Sequence, residues 1–271
     1  MMGIITPANK IVLSHKGLHL YHTARSNCAA RVRLLLEEKK LDWVGHHIDL
    51  GKKENITEEY FGINPKGVVP TLVYDGEVVV ESNDILLYLE EKFPDPDFRA
   101  VSDQSQAQIE YWLQQSGDLH LPAIKTYQYH KINAKLLPKT EEEEARYAKL
   151  QKDPDMLAFH GKHSGGKNFS EEDVNTAISL LNSVFSKMDE AIADGGYIVS
   201  NQYTLADISW SPTITTMIAG GYDLSPYAHI TDWYEKISQR PQFREAVIEW
   251  RKKATYAAGV DPTIPGPAAV A

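Results

Sequence analysis

The stretch "INPKGVVPTLVYDGEVVVESNDILLYL", Ile63 to Leu89, decides the fold. Two β-branched runs flank Asp75-Gly76, which predicts a hairpin with a tight two-residue turn. "NDILLYLEEKF" then repeats apolar residues at helical spacing and stops at "PDPD". Pro70 enters the first strand without an amide, so it belongs at a sheet edge or at an active-site turn. A cis Val69–Pro70 bond would hold the carbonyl and amide of Val69 outward, where an extended peptide could pair as an added strand. Glu81 and Ser82 fall where the next helix begins. Free amides and the positive dipole end there suit a carboxylate, and the Glu81 side chain suits an ammonium group. One extended peptide with an α-amino-acid head satisfies both features.

Upstream, "LHLYH" (18–22) reads as a strand, "CAARVRLLLEEKKL" (28–41) as a helix and "DWVGHHIDL" (42–50) as another strand. Strand–helix–strand followed by a hairpin and a helix makes a small α/β domain over residues 18–95, with 1–17 as an N-terminal extension. Beyond "PDPDFRA" strand signals nearly vanish, and residues 103–255 read as an all-helical domain. Its longest helix carries Val174, Ile178, Leu181, Val184, Phe185 and Met188 along one face. "TLAD", Thr204 to Asp207, is a capping box that starts a core helix. A polar segment, Leu136 to Ser170, resembles an insertion. Residues 256–271 form a Pro-rich tail expected to be mobile.

The totals narrow the function. A chain of 271 residues with net charge −9 is unsuited to a nucleic-acid surface, which favours clustered cations on a basic domain. The single cysteine, Cys28, excludes a disulfide-stapled secreted fold. Neither a signal peptide nor an apolar run of membrane-spanning length is recognisable, so the expected address is the cytoplasm.

Three small polar residues, Ser26, Asn27 and Cys28, stand together in "HTARSNCAARVR" (22–33), between the first strand and the first helix. Each can cap the helix or donate to a sulfur, and Cys28 can also react covalently.

"NPKGVVPTL", "ESNDILLYLEEKFP", "YTLADIS" and "WYEKISQRPQFREA" together resemble the glutathione S-transferase superfamily, over roughly Leu18 to Trp250. The resemblance implies a thioredoxin-like α/β half and an all-helical half, with glutathione as co-substrate and dimers as the usual assembly. It implies that Val69, after which comes Pro70, pairs with the cysteinyl backbone, while Glu81 and Ser82 hold the γ-glutamyl head. Lys53 and Asn55 fall in the loop where relatives grip the glycyl carboxylate. Val68 stands where many relatives carry a polar residue.

Glutathione's thiol behaves like a cysteine of pKa about 8.5, and lowering it by two units takes about 2.7 kcal/mol of thiolate stabilisation. A helix N-terminus and one aimed donor supply energies of that order. Ser26 aligns with the catalytic serine of serine-type relatives, Asn27 with that of asparagine-type reductases, and Cys28 with that of cysteine-type bacterial enzymes. Ser or Asn would polarise the bound thiol for attack on an electrophile, whereas Cys28 would favour thiol–disulfide exchange.

The resemblance places the second substrate against the helical half, with Trp112, Tyr127, Tyr129, His130 and Trp210 as candidate lining for a hydrophobic aromatic molecule. No metal is expected in the site. The lengthened helical half and its ending look most like bacterial transferases that cleave β-aryl ethers of lignin-derived dimers. Two rivals stand beside that reading: a glutathione-dependent disulfide reductase using Asn27 or Cys28, and a non-enzymatic glutathione-binding or interaction member of the fold.

Overall fold

The computed structural model describes residues 3–99, 102–133, 139–165 and 167–253, so the tail expected at 256–271 lies outside the described residues. Five strands, β1 (Ile4–Ile5), β2 (Leu18–His22), β3 (Trp43–His47), β4 (Thr71–Tyr74) and β5 (Glu77–Val80), form one sheet in the order β1-β5-β4-β2-β3. β2 runs parallel to β3 with Leu18 opposite Trp43, and the remaining pairs are antiparallel. The hairpin turns on Asp75 and Gly76, both at positive φ (48° and 86°), the geometry that favours glycine and aspartate there. Residues 1–17, read from sequence as an extension, contribute to this sheet: Ile4 pairs with Val79 and Ile5 with Val78. A two-residue strand carries no periodicity to read.

Helix α1 (Asn27–Glu38) follows β2 and α2 (Ser82–Lys92) follows β5. Leu18 and Leu20 of β2 pack with Leu34 to Leu36 of α1 and with Leu86 and Leu89 of α2. The opposite sheet face buries Tyr21 and Val73 against Val12, Tyr60 and Ile63.

The helical half contains α3 (Asp103–Asp118), a helical run from His120 to Asn133, α4 (Glu141–Leu150), α5 (Pro154–Gly161), α6 (Glu171–Ala193), α7 (Leu205–Ala219) and α8 (Ala228–Ser238). The run after α3 opens with a wide turn in which the Ile124 amide donates to the Leu119 carbonyl five residues back. Thr204 caps α7 as its motif predicts, its amide donating to Asp207 at 2.8 Å. Asp207 also accepts from Ile198 N–H and Trp233 Nε1, and burial raises its pKa to about 6.

The two halves share one core. Leu36 and Leu89 belong to the same apolar cluster as Phe185, Trp210 and Ile214. No helix among the described residues is long and apolar enough to cross a membrane.

Candidate functional site

α1 and α2 both begin at one cleft of about 640 Å³ between the halves. The cleft brings together all nine of the residues first assigned to its N-terminal wall: Ser26, Asn27, Cys28, Lys53, Asn55, Val69, Pro70, Glu81 and Ser82.

Ser26 is the N-cap of α1. Its Oγ accepts from the Ala29 amide at 3.1 Å, which leaves the hydroxyl hydrogen free to donate into the cleft. Asn27 is buried, and its Nδ2 donates to Thr213 Oγ1 on α7 at 3.2 Å. Cys28 Sγ lies 3.5 Å from His120 Nε2. The three adjacent residues therefore face different partners: solvent in the cleft, the helical half, and an imidazole.

The Val69–Pro70 peptide bond is cis. Just before it, Tyr60 Oη and Asn64 Nδ2 both donate to the Val68 carbonyl (2.8 and 3.0 Å), and Asn55 Nδ2 donates to the Gly67 carbonyl at 2.9 Å. These bonds fix the turn that presents Val69 at the cleft wall. Asn55 thus braces that turn as well as lining the cleft. Lys53 is largely buried, and burial holds its pKa below the ordinary lysine value.

Glu81 precedes α2 with φ 63° and ψ 117°, a backbone conformation strained for a residue with a side chain and of the kind that accumulates at binding sites. Its carboxylate accepts from Lys66 Nζ at 2.8 Å, in a half-exposed pair. Ser82 Oγ accepts from Arg31 Nη1 at 3.2 Å.

Arg31 is a site residue the sequence reading did not select. It is 1% exposed, and its Nε donates to the Ser209 carbonyl and its Nη2 to Thr213 Oγ1, at 2.8 and 2.9 Å. A buried guanidinium with no carboxylate among these partners leaves positive charge under the start of α2, where a ligand carboxylate would neutralise it. An arginine on the apolar face of "AARVRLLL" was the available signal. Lys125 and His120 add to the same floor; burial lowers both their pKa values, Lys125 and Arg31 lower His120 further, and Cys28 opposes the shift of Lys125. The cleft is locally cationic in an acidic protein.

The opposite wall departs from expectation. Of the five proposed second-substrate residues, Tyr129 lines the cleft. Trp112 and Trp210 lie in the shared core, where Trp210 Nε1 donates to the Trp112 carbonyl at 2.9 Å. Both rings gain more from close packing in the core than a half-open cleft provides. Tyr127 is buried edge-to-face on Tyr222, and His130 is not among the lining residues. In their place stand residues of the polar segment: Lys139, Tyr147, Met156, Phe159 and His160. Tyr129 meets Phe159 edge-on at 5.5 Å, and Tyr147 meets His160 at 4.9 Å. Gln151 Nε2 pins this roof to the Lys66 carbonyl at 2.9 Å.

Residues 20–97 match the family model described as "Glutathione S-transferase, N-terminal domain", and residues 129–241 match "Glutathione S-transferase, C-terminal domain". The chain is 31% identical to "Glutathione S-transferase 1" of Dianthus caryophyllus over 213 residues, 78% of this chain and 82% of that one. It is 31% identical to "Probable maleylacetoacetate isomerase" of Caenorhabditis elegans over 226 residues, 83% of this chain and 90% of that one. Among solved structures, the β-etherase LigF from Sphingobium sp. strain SYK-6 superposes with a TM-score of 0.75 at 24% identity, covering 84% of this chain and 98% of that one, and so shares its fold.

Proposed function

The chain belongs to the glutathione S-transferase family, and from that premise we propose that it ionises glutathione at the start of α1 and directs the thiolate at an aromatic electrophile under the roof. One observation carries the reading. Three separated stretches, Ser26–Cys28, Val69–Pro70 and Glu81–Ser82, meet with buried Arg31 in one cleft.

The γ-glutamyl carboxylate sits on the amides opening α2 and on the Ser82 hydroxyl, whose own acceptor site is already taken by Arg31. The ammonium displaces Lys66 from Glu81, a cheap exchange because that pair is half-exposed. The cysteinyl backbone pairs with Val69 as an added strand, and Lys53 attracts the glycyl carboxylate. The sulfur then lies at the α1 N-terminus, and the Ser26 O–H donates to it. Asn27 is a poorer donor because its amide is committed to Thr213.

The substrate reading is cleavage of a β-aryl ether. The thiolate forms a C–S bond at the carbon bearing the phenoxy group, and the C–O electrons leave with the phenolate. The aromatic roof and the fold shared with a β-etherase support it.

The Cys28–His120 contact favours a second reading, thiol exchange. There the Cys28 proton passes to solvent, and the thiolate attacks a disulfide sulfur, expelling the other as thiolate.

Turnover of an aryl-ether panel, with and without glutathione, tests the reaction class. Ser26→Ala is expected to lower kcat/KM about a hundredfold and to abolish the absorbance of bound thiolate, whereas Cys28→Ala leaves both within about threefold. A mixed disulfide lost only in Cys28→Ala would overturn this in favour of exchange.

A further inference from the structure

On the sheet face away from α1 and α2, three imidazoles converge outside the cleft. His19 and His46 occupy β2 and β3, where the parallel register sets Tyr21 opposite His46 and His19 two residues back on the same face. His15 follows the short helical turn Lys10–Ser14 and stacks on His19 with ring centroids 4.1 Å apart. Its ring centroid lies 5.3 Å from that of His46. One ring nitrogen from each of the three falls within 4.8 Å of the others, and all three side chains are half-buried. Among the described residues no other group of three metal-ligating side chains comes this close.

We propose that His15, His19 and His46 bind a first-row divalent cation of the imidazole-preferring class, Zn²⁺ in the first place. Three neutral imidazoles, two of them on a rigid sheet, are a donor set suited to zinc, copper or nickel and poorly suited to magnesium or calcium. The hydrogen bonds already order the ligands. His19 Nε2 donates to the Lys16 carbonyl at 3.0 Å, which leaves Nδ1 with its lone pair facing His46. A backbone carbonyl holding the far nitrogen is the usual outer support of a metal-bound histidine. His46 Nε2, 2.8 Å from His19 Nδ1, is the donor in that pair. Binding moves the His46 proton to its Nδ1 through solvent, so both facing lone pairs reach the metal.

Zinc–nitrogen bonds of about 2.0–2.1 Å in a tetrahedron place ligand nitrogens about 3.3 Å apart. The His19–His46 pair therefore opens by about half an ångström, and His15, stacked on His19 at an interplanar angle of 9°, swings off that stack to aim a ring nitrogen at the same ion. The Tyr21 hydroxyl, 2.9 Å from His15 Nε2, and solvent stand ready to complete the shell. The bound ion would clamp the Lys10–Ser14 turn onto the sheet.

Calorimetric titration of Zn²⁺ into the tag-free full-length chain, with Co²⁺ absorption as the geometric probe, tests the site. One ion per chain is expected, with a rise in Tm. His46→Gln and His19→Ala should each weaken binding by at least about tenfold, with the far-ultraviolet spectrum confirming the fold; should one variant misfold, the other decides. The paired variant His160→Gln/His163→Gln should bind as wild type does. No binding to the wild-type chain, or equal weakening in the His160/His163 variant and not in the His46 one, overturns the proposal.

Discussion

The floor and the roof of the cleft are built by different means. Its floor uses main-chain geometry and one buried ion: the capped start of α1, the braced turn at Val69, the strained step at Glu81, and Arg31 beneath them. Its roof uses side chains of Tyr129, on the helical run after α3, and of Tyr147, Met156, Phe159 and His160, carried on a charged segment tied down by the Gln151–Lys66 hydrogen bond and the Lys66–Asp153 ion pair. Backbone groups recognise what every molecule of one peptide shares, and any residue change there disturbs the shape of the chain itself. Aromatic side chains on short helices recognise whatever else enters, and they are exchangeable one by one. Under the proposed function, the contrast assigns the common co-substrate to the floor and the choice of the second substrate to the roof.

The largest effect expected from this contrast belongs to the floor. Arg31→Met removes a donor from Ser82 Oγ, from the Ser209 carbonyl and from Thr213 Oγ1, which keeps only Asn27 Nδ2, and should lower stability by about 3 kcal/mol. Glutathione affinity should fall more than about tenfold with it. Arg31→Lys should not restore either, because a point ammonium cannot serve three separated acceptors. Chemical denaturation and calorimetry read the two losses. Full rescue by Lys would mean that charge alone, not the fork, builds the floor.

Next comes the roof. Phe159→Ala should raise KM for the aromatic substrate about tenfold while the glutathione KM moves less than twofold. Steady-state kinetics in both substrates decide it, and a parallel change in the two would erase the distinction.

Acid should loosen the roof without mutation. Burial, and then Lys139, depress His160 to about 2 and His163 to about 4 from an ordinary 6.5. A histidine whose folded pKa is depressed stabilises the fold above its unfolded pKa, and that contribution is lost as pH falls from about 6.5 through about 4 for His163 and on towards about 2 for His160. Hydrogen exchange should therefore show α5 loosening across that window, and His163→Gln should flatten the response.

The smallest stability loss is expected at Gln151→Ala, which removes the bond to the Lys66 carbonyl together with those to Tyr147, Lys152 and Asp153 and should cost about 2 kcal/mol, seen as faster exchange confined to the roof.

Legibility in sequence followed the same division. Asp75-Gly76 and Pro70 announce themselves because each favours a local backbone state that few other residues adopt, and the Glu81–Ser82 corner because it stands where an evident helix begins. Ser26 is readable as a cap for the same reason. The roof was hidden because "EEEEARYAKLQKDPDMLAFH" spaces its apolar residues across two short helices and a proline, and what they meet lies far away in the chain. Trp112 and Trp210 were misplaced by their chemistry: a tryptophan suits an aromatic pocket and a core equally, and only packing distinguishes them. Arg31 showed itself only as a charge in an apolar run.

Asn27 and Arg31 both reach from the first helix to Thr213 in the other half, and Arg31 also reaches Ser209. Neither half, then, is a transplantable module. A chimera joining this chain's first ninety-odd residues to a relative's helices would strand a guanidinium at the seam unless the recipient helix offered matching oxygens at those two places. Recombination within such a family is constrained less by surface fit than by that inherited handshake.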